Sequence, residues 1–324
     1  MTAPTAAPPE RVSAVRPARP GAKVRVGDRV FSTTTIVAGS LILAILAAVA
    51  IFLVIQSIPA LVAGPGELPN DSTNFWQYVW PLTFGTVWAA FLAMLMATPL
   101  SIGIALFITH YAPRRVSQTL GYIIDLLAAI PSVVFGLWGI VTIAPFVQPF
   151  YQWLGANVGW FPLFAPPVSG TGRTILTAAV VLAVMVIPIM TAICREVFLQ
   201  TPRLHEEAAL ALGATRWEMI RMSVLPFARS GIISSIMLGL GRALGETFAI
   251  AMVLSPAFIV KFAVLQAQNP NTIAANIALQ FPEATGVAVN ALVASGLVLF
   301  AVTLLVNVLA RWIISRRAAF SGAN

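Results

Sequence analysis

Long stretches without charge constrain this 324-residue chain more than any other feature. Five of them contain no Asp, Glu, Lys or Arg: residues 30–66, 82–109, 126–172, 174–194 and 284–310. Each is long enough to cross a bilayer, which takes about 20 apolar residues. Because the hydrocarbon core holds no water, only helices and closed barrels satisfy their own backbone there, and the sequence lacks the alternation of barrel strands. The chain is therefore predicted to be an all-α, polytopic membrane protein.

Composition supports this fold class. Hydrophobic residues make up 59% of the chain and charged residues 9%, whereas soluble proteins carry about 25% charged residues. Six membrane helices are predicted, at about residues 33–58, 82–109, 121–145, 174–194, 230–255 and 286–310. Residues 31–317 are thus expected to form the membrane domain, with a short end at residues 318–324.

Residues 1–30 are rich in Ala, Pro and Arg and contain few large apolar side chains. Such a composition buries too little apolar surface to offset the entropy lost on ordering, so a disordered basic tail is predicted. A cleaved secretory signal is the alternative. It is disfavoured because the apolar run after Arg29 exceeds the usual core of about 7 to 15 residues, and no small-x-small cleavage site follows closely.

The basic residues indicate which way the chain crosses the membrane. Six spans put both termini on one side, where 16 of the 19 Lys and Arg residues then lie. The other side has Arg173 and Lys261. Since cytoplasmic loops carry the excess of Lys and Arg, both termini are expected on the cytoplasmic side of a bacterial cytoplasmic membrane. The net charge of +8 therefore indicates a lipid bilayer, and not nucleic acid, as the partner.

Two segments on the expected outer side differ from the other connections. Residues 146–173 are rich in aromatic residues and proline, which is typical of an aromatic belt at the membrane interface with tight turns. A docking surface for an external partner is the alternative. Residues 256–285 contain several Asn and Gln side chains and could line the same mouth.

Residues 201–226, TPRLHEEAALALGATRWEMIRMSVLP, predict two short helices joined by a bend. Thr201 is expected to cap the first helix, with Pro202 at its first position, where the missing N–H costs nothing. Ala, Leu and Glu favour helix as far as Leu212. Gly213 is expected to end that helix in the left-handed conformation.

The second helix of this 201–226 loop is predicted from a capping box, in which Thr215 and Glu218 satisfy each other's backbone amides. Pro226 is expected to stop it before the fifth span. Ala208, Ala209 and Ala211 are small enough to let another protein approach closely. Bracing of the helix bundle is the alternative to such docking.

The 201–226 loop resembles the EAA signature of binding-protein-dependent ABC importer permeases. The matching residues are Glu207, Ala208, Ala209, Gly213, Ser223, Val224, Leu225 and Pro226. Ser223 replaces the family's usual isoleucine, which removes one packing contact. Residues 121–140 and 238–248 are similar to phosphate importer permeases of the PstC type, and the resemblance covers about residues 80–310.

The resemblance implies a type I ABC importer permease fold and a loop that fits a groove in a cytoplasmic ATPase. The residues expected at that contact are Glu207, Ala208, Ala209, Gly213, Leu225 and Pro226. It also implies a PstA-type permease partner, a dimer of a PstB-type ATPase and an external PstS-type phosphate-binding protein. The sequence has no G-x-x-x-x-G-K-[ST] motif, so ATP and Mg²⁺ are expected on the ATPase and no cofactor on this chain.

Two charged residues in the fifth span are candidates for the substrate pathway. Arg242 lies near its middle, where a lipid-facing arginine costs about 2.5 to 3.5 kcal/mol. Glu246, four residues on, is expected on the same helix face. An internal ion pair that only packs helices is one interpretation. In the other, Arg242 binds a passing anion through two parallel hydrogen bonds while Glu246 holds the guanidinium in the empty state, and Thr247 adds a hydroxyl.

Asp125 is a further candidate, near the start of the third span, although it could simply reach the headgroup region. Pro131 is expected to kink that span, since it removes one backbone hydrogen bond. Gly241 and Gly245 form a small-xxx-small pair, which favours close approach of a neighbouring helix.

The predicted function is therefore that of a permease subunit importing inorganic phosphate. An ABC permease for sulfate or molybdate is the first alternative, because one arginine does not identify its ligand. A scaffold or sensor that conducts nothing is the second, and it is disfavoured by an arginine at mid-depth. An enzyme is not expected, since one cysteine, Cys194, and two histidines, His110 and His205, offer no catalytic or metal-binding constellation.

Overall fold

The computed structural model describes the backbone of residues 26–318 and the side chains of residues 26–312. Its helices are α1 (Val26–Val62), α2 (Phe75–Leu106), α3 (Arg114–Ala128), α4 (Ser132–Trp138), α5 (Ala144–Val158), α6 (Ile175–Leu199), α7 (Arg203–Ala211), α8 (Arg216–Met219), α9 (Leu225–Gly245), α10 (Phe248–Val253), α11 (Ile273–Gln280) and α12 (Val287–Ala318). Two short strands, β1 (Pro256–Ala257) and β2 (Asn269–Pro270), pair in parallel.

Short segments of other geometry connect some of these helices. Three π-helical segments lie at Phe107–Tyr111, Gly139–Ile143 and Ile220–Val224. Two 3₁₀ turns lie at Pro69–Asp71 and Pro162–Phe164. The π-helical segments keep the chain helical from α4 into α5 and from α8 into α9.

The prediction of six membrane helices is confirmed. Helical segments long and apolar enough to span a bilayer run over Val26–Val62, Phe75–Tyr111, Ser132–Val158, Ile175–Leu199, Arg216–Gly245 and Val287–Trp312. The chain is thus an all-α membrane protein with six spans, and two of the predicted spans need correction.

The third span begins later than predicted. Residues 114–128 form a separate helix, α3, and the spanning helix starts at Ser132. Pro131 is the N-cap of α4, with extended backbone dihedrals of φ −59° and ψ 141°. It therefore separates two helices, because its ring cannot follow a helical turn without removing a hydrogen bond. The predicted kink within one continuous span is wrong.

The fifth span ends earlier than predicted. α9 stops at Gly245, and Glu246 leaves the helix with φ −69° and ψ 128°. The chain becomes helical again in α10, which packs against α4 and α6. The membrane segment is thus broken two residues after Leu244, which belongs to the central core.

The chain divides into two compact units, residues 1–52 and 53–324. In the first unit the described residues, 26–52, form one continuous helix whose apolar side chains are mostly exposed. Residues 26–30 are part of this helix, so the predicted tail boundary at residue 30 is wrong. The rest of the predicted tail, residues 1–25, and the end at residues 319–324 lie outside the described residues.

The second unit is built around α2 and α6. These helices lie side by side and bury small residues against each other, including Ala89, Ala93, Ala178 and Ala179. Small side chains let membrane helices approach closely, which increases their van der Waals contact. Their pairing forms the central core cluster, which α9 and α10 complete.

Two further core clusters mark the two ends of this unit. One joins the end of α6, at Phe198, to Met219 and Ile220 of the 201–226 loop, and this end is called the loop end. The other joins Leu68 and Phe75 to Ile273 at the opposite end. These clusters fix where the loop lies relative to the spanning helices.

Candidate functional site

The 201–226 loop folds around the two local signals that its sequence carries. Gly213 has φ +88°, in the left-handed region, as predicted. Thr215 and Glu218 form the predicted capping box. The Glu218 N–H donates to Thr215 Oγ1 at 3.3 Å, and the Thr215 N–H donates to Glu218 Oε2 at 2.8 Å. The bend and the start of the second helix are therefore confirmed.

Other details of the loop differ from prediction. α7 begins at Arg203, with Pro202 as its N-cap and no capping side chain. Thr201 is buried, and its hydroxyl has no hydrogen-bond partner in the part of the chain that the structure describes. Pro226 is the second residue of α9 and directly follows the π-helical segment, so the helix continues through it. Thr201 as a cap and Pro226 as a stop are thus both wrong.

Ser223 has a structural role that the family pattern did not suggest. Its hydroxyl donates a hydrogen bond to the carbonyl oxygen of His205, 3.2 Å away. This bond joins α7 to the π-helical segment before α9. The replacement of isoleucine therefore exchanges a packing contact for a hydrogen bond across the two arms of the loop.

The outer face of the loop is open to a partner. None of the residues of α7 is buried. Leu204 is 75% exposed, Leu212 90% and Trp217 56%, while Glu207 and Ala208 are also exposed. Exposed apolar side chains beside a carboxylate are typical of a binding surface, since a partner that covers them removes apolar surface from water.

The inner face of the loop contacts the π-helical segment that follows α2. His110 Nε2 lies 3.6 Å from Glu206 Oε1, and His110 Nδ1 lies 2.6 Å from Thr109 Oγ1. The imidazole ring also meets the Phe198 ring edge-on. Sequence reasoning missed this contact. Its signal was a histidine directly after an apolar span, facing a loop with two adjacent glutamates.

Arg242 lies in the last turn of α9 and is exposed in the isolated chain. It lines a cleft of about 730 Å³ between α9, α12 and α6, called the arginine cleft. The lining residues are Ile189, Ser234, Met237, Leu238, Gly241, Arg242, Asn307 and Arg311. Its neighbours in sequence, Ala243 and Leu244, belong to the central core, so the residue is level with the middle of the bundle.

The expected ion pair between Arg242 and Glu246 does not form among the described residues. Glu246 lies beyond the end of α9, so the four-residue helical spacing no longer holds. Its side chain is 7% exposed, and its Oε1 accepts a hydrogen bond from the Ala249 N–H at 3.2 Å. Glu246 thus caps the start of α10. Thr247 donates its hydroxyl to the Gly245 carbonyl at 3.2 Å.

Asp125 is not brought together with Arg242. It lies on α3, half exposed, with its carboxylate 3.8 Å from the guanidinium of Arg195. The two side chains line a separate cleft of about 250 Å³ between α3 and α6. The alternative in which Asp125 faces the membrane surface agrees with this position.

The glycines of α9 do not act as predicted within this chain. A side-chain carbon at Gly241 or Gly245 would meet no atom within 4 Å. At Gly239 it would lie 2.8 Å from Met190 Sδ and from Val186 Cγ1. Gly239 is therefore the residue that lets α9 approach α6, and Gly241 leaves the floor of the arginine cleft open.

The two segments at the opposite end contact each other. Gln266 donates to the carbonyls of Ala165 and Pro166, each at 3.2 Å. Asn269 accepts from the Ile175 N–H at 2.7 Å. These two amides thus hold backbone and do not face a mouth. The aromatic residues Phe146 and Trp160 are 79% and 81% exposed, which both interpretations of that segment require.

Arg173, which sequence reasoning counted only as a flanking charge, binds the end of α10. Its guanidinium donates to the carbonyls of Met252 at 3.1 Å, Val253 at 3.3 Å and Leu254 at 2.8 Å. The last carbonyls of a helix lack partners within the helix, and a cation there is favourable. α10 is therefore held by side chains at both of its ends.

Comparison with known proteins relates the chain to one family and to named relatives. Residues 97–318 match the family described as binding-protein-dependent transport system inner membrane component. A phosphate transport system permease protein PstC 2 from Mycobacterium tuberculosis is 42% identical over 299 residues, or 89% of this chain and 91% of the relative. The PstC of Mesorhizobium japonicum is 38% identical over 332 residues, or 97% and 98%.

A solved structure shares the fold. It is a chain of a bacterial ABC transporter involved in the import of the acidic polysaccharide alginate, with a TM-score of 0.58 at 18% identity. The likeness covers 90% of this chain and 96% of that one.

Proposed function

Because the chain belongs to the family of binding-protein-dependent transport system inner membrane components, we propose that it is the permease subunit of an ATP-driven importer of inorganic phosphate. The observation that carries this proposal is 42% identity over 89% of the chain to a relative named as a phosphate transport system permease. The six spans and the arginine cleft agree with such a role.

The 201–226 loop is proposed to contact the partner ATPase through Glu207, Ala208, Ala209, Gly213, Leu225 and Pro226. The exposed face of α7 supports this contact, because its apolar side chains have no cover within the described chain. Leu225 and Pro226 begin α9, so they would transmit movement of the loop to the helix that carries Arg242. ATP and Mg²⁺ would be held by the ATPase, a PstB-type dimer.

This assignment sets the orientation of the chain. The loop end would face the cytoplasm, with both termini on that side, and the opposite end would face an external PstS-type phosphate-binding protein. The exposed aromatic residues Phe146 and Trp160 lie on the segment nearest to such a partner. A PstA-type permease would complete the pathway, since a cleft on one side of a chain needs a second wall.

Within the pathway, Arg242 is proposed to bind the passing phosphate. Its guanidinium has no hydrogen bond or ion pair within residues 26–312, so it is free to donate two parallel bonds to phosphate oxygens. Glu246 and Thr247 would shape the break in the helix beside it. Asp125 lies in another cleft, so its place in the pathway remains a prediction without support from this arrangement.

Uptake of labelled anions by the whole importer tests this proposal. The four subunit types are reconstituted in vesicles, and ATP-dependent uptake of phosphate is compared with that of sulfate and molybdate. Phosphate uptake that depends on the external binding protein is expected. Uptake of sulfate or molybdate instead would show a different oxyanion importer, and no uptake of any of the three would contradict an importer of these anions.

A further inference from the structure

The arginine cleft contains a second cation that the proposed function does not use. Arg311, on α12, lines the same cleft as Arg242, which lies on α9. Both side chains are exposed, and neither makes a hydrogen bond or ion pair within residues 26–312. The described lining residues include no Asp or Glu, so the two positive charges are not neutralised within residues 26–312.

The lining of the cleft follows from helical geometry. On α9, positions 234, 238 and 242 are four residues apart and form one stripe that extends about 12 Å. On α12, Asn307 and Arg311 are also four residues apart and share a face. The two stripes face the same cleft, since residues of both line it, and α9 and α12 are in contact. Polar groups are thereby concentrated between two otherwise apolar helices.

Such a face is unsuited to lipid. An arginine that faces lipid at the bilayer centre costs about 2.5 to 3.5 kcal/mol, which applies to Arg242 at the level of the central core. Arg311 lies one residue before the end of the sixth span. An anion can satisfy all three groups, because each guanidinium and the Asn307 amide can donate hydrogen bonds to its oxygens. Tetrahedral oxyanions have enough acceptor atoms to bind donors from two sides.

We infer that Arg242 and Arg311 form a two-arginine binding site for a tetrahedral oxyanion, with Arg311 on the side nearer the loop end. Asn307 supplies a neutral donor beside Arg311. The direction of transport, from Arg242 toward Arg311, rests on the proposed function, whereas the anion site itself does not.

Chemical labelling tests the site without relying on transport. Asn307→Cys is introduced into the assembled importer, in vesicles whose loop end faces the outside solution. The thiol is modified by the anionic ethylsulfonate or the cationic trimethylammonium methanethiosulfonate, and each rate is normalised to that of a free thiol. Background is measured without the new cysteine and should be low, since the native Cys194 is buried.

The anionic reagent is expected to react about tenfold faster than the cationic one, since a cleft of one charge sign concentrates counter-ions. Arg311→Gln and Arg242→Gln should each reduce that preference, and the double variant should bring the ratio to about one. Inorganic phosphate should slow labelling when both arginines are present. Arg229→Gln is the matched control, because it removes a charge from α9 outside the cleft, and it should change nothing.

Several results would overturn the inference. They are equal rates for the two reagents in the parent, an unchanged preference in Arg311→Gln, and no effect of phosphate on labelling. Uptake is measured on complexes that keep Asn307, because this residue belongs to the proposed site, with Arg311→Lys as the variant that keeps the charge. A parent complex without phosphate uptake would contradict the proposed function, whereas the labelling ratio would still decide whether the anion site exists.

Discussion

The 201–226 loop and the arginine cleft are joined through α9, yet their polar groups are satisfied in opposite ways. In the loop, Thr215, Glu218 and Ser223 all find partners within a few turns of helix. In the cleft, Arg242, Asn307 and Arg311 have none within residues 26–312. A surface with satisfied groups keeps its shape before a partner arrives, whereas unsatisfied groups need a ligand or a second chain. The loop is thus formed by this chain alone, whereas the polar groups of the cleft are left without partners within residues 26–312.

The largest effect is expected from Arg242→Gln, which tests the arginine cleft. A hydrogen bond to a charged group contributes about 1.5 to 3 kcal/mol, so uptake at limiting phosphate should fall at least about tenfold. Because Glu246 caps α10 and does not pair with Arg242, adding Glu246→Gln should not restore uptake. Uptake and complex assembly are measured on the single and double variants. Full uptake by the double variant would eliminate Arg242 as a phosphate contact.

Gly213→Val tests the 201–226 loop. A β-branched residue at φ +88° would cost about 1 to 2 kcal/mol, which reduces the population of the native bend roughly 5- to 30-fold. No atom lies within 4 Å of the new side chain, so the effect is one of backbone strain and not of a clash. Phosphate uptake and copurification of the ATPase should fall, while membrane insertion is retained.

Gly213→Asn is the control for that change, since asparagine tolerates the left-handed conformation. It should retain most of the uptake. If Gly213→Val copurifies with the ATPase and transports at the normal rate, the loop is not the contact.

Ser223→Ala should have a smaller effect. It removes the hydrogen bond to His205, which at a half-exposed position contributes about 0.5 to 1.5 kcal/mol. The number of phosphates imported per ATP hydrolysed should decrease moderately. Ser223→Thr keeps the hydroxyl and should behave as the parent. Equal losses in both variants would mean that the hydroxyl has no part in joining the two arms.

Deletion of residues 2–24 should have the smallest effect, because it leaves both regions intact. Arg25 and Arg29 are retained so that the positive charge at the membrane surface is preserved. Uptake and insertion are expected to match the parent. Loss of uptake with normal insertion would indicate a specific partner for the tail.

The same comparison explains what the sequence could predict. Gly213 and the pair Thr215 and Glu218 act on their immediate neighbours, so local rules predicted the bend and the capping box correctly. The six spans also follow from apolar runs that each segment carries itself. These features needed no knowledge of which helices would meet.

Features that depend on distant contacts were predicted poorly. The break after Gly245 is stabilised by the packing of α10 against α4, where Ala249 approaches Gly136, and no motif near residue 246 signals it. The assumption of a continuous helix then produced the incorrect Arg242 and Glu246 pair. Likewise, Arg311 was counted as a flanking charge, because only the fold brings α12 beside α9.

The hydrogen bonds of Arg173 have a mechanical consequence. Arg173 lies two residues before the start of α6, and α6 ends three residues before Pro202, the N-cap of α7. With 25 residues, α6 is a rod about 37 Å long. One of its ends packs against the 201–226 loop through Phe198. Next to its other end, Arg173 donates hydrogen bonds to the last carbonyls of α10. A tilt of α6 imposed at the loop end would therefore also move α10 at its other end. The helix break beside Arg242 would then shift together with the 201–226 loop.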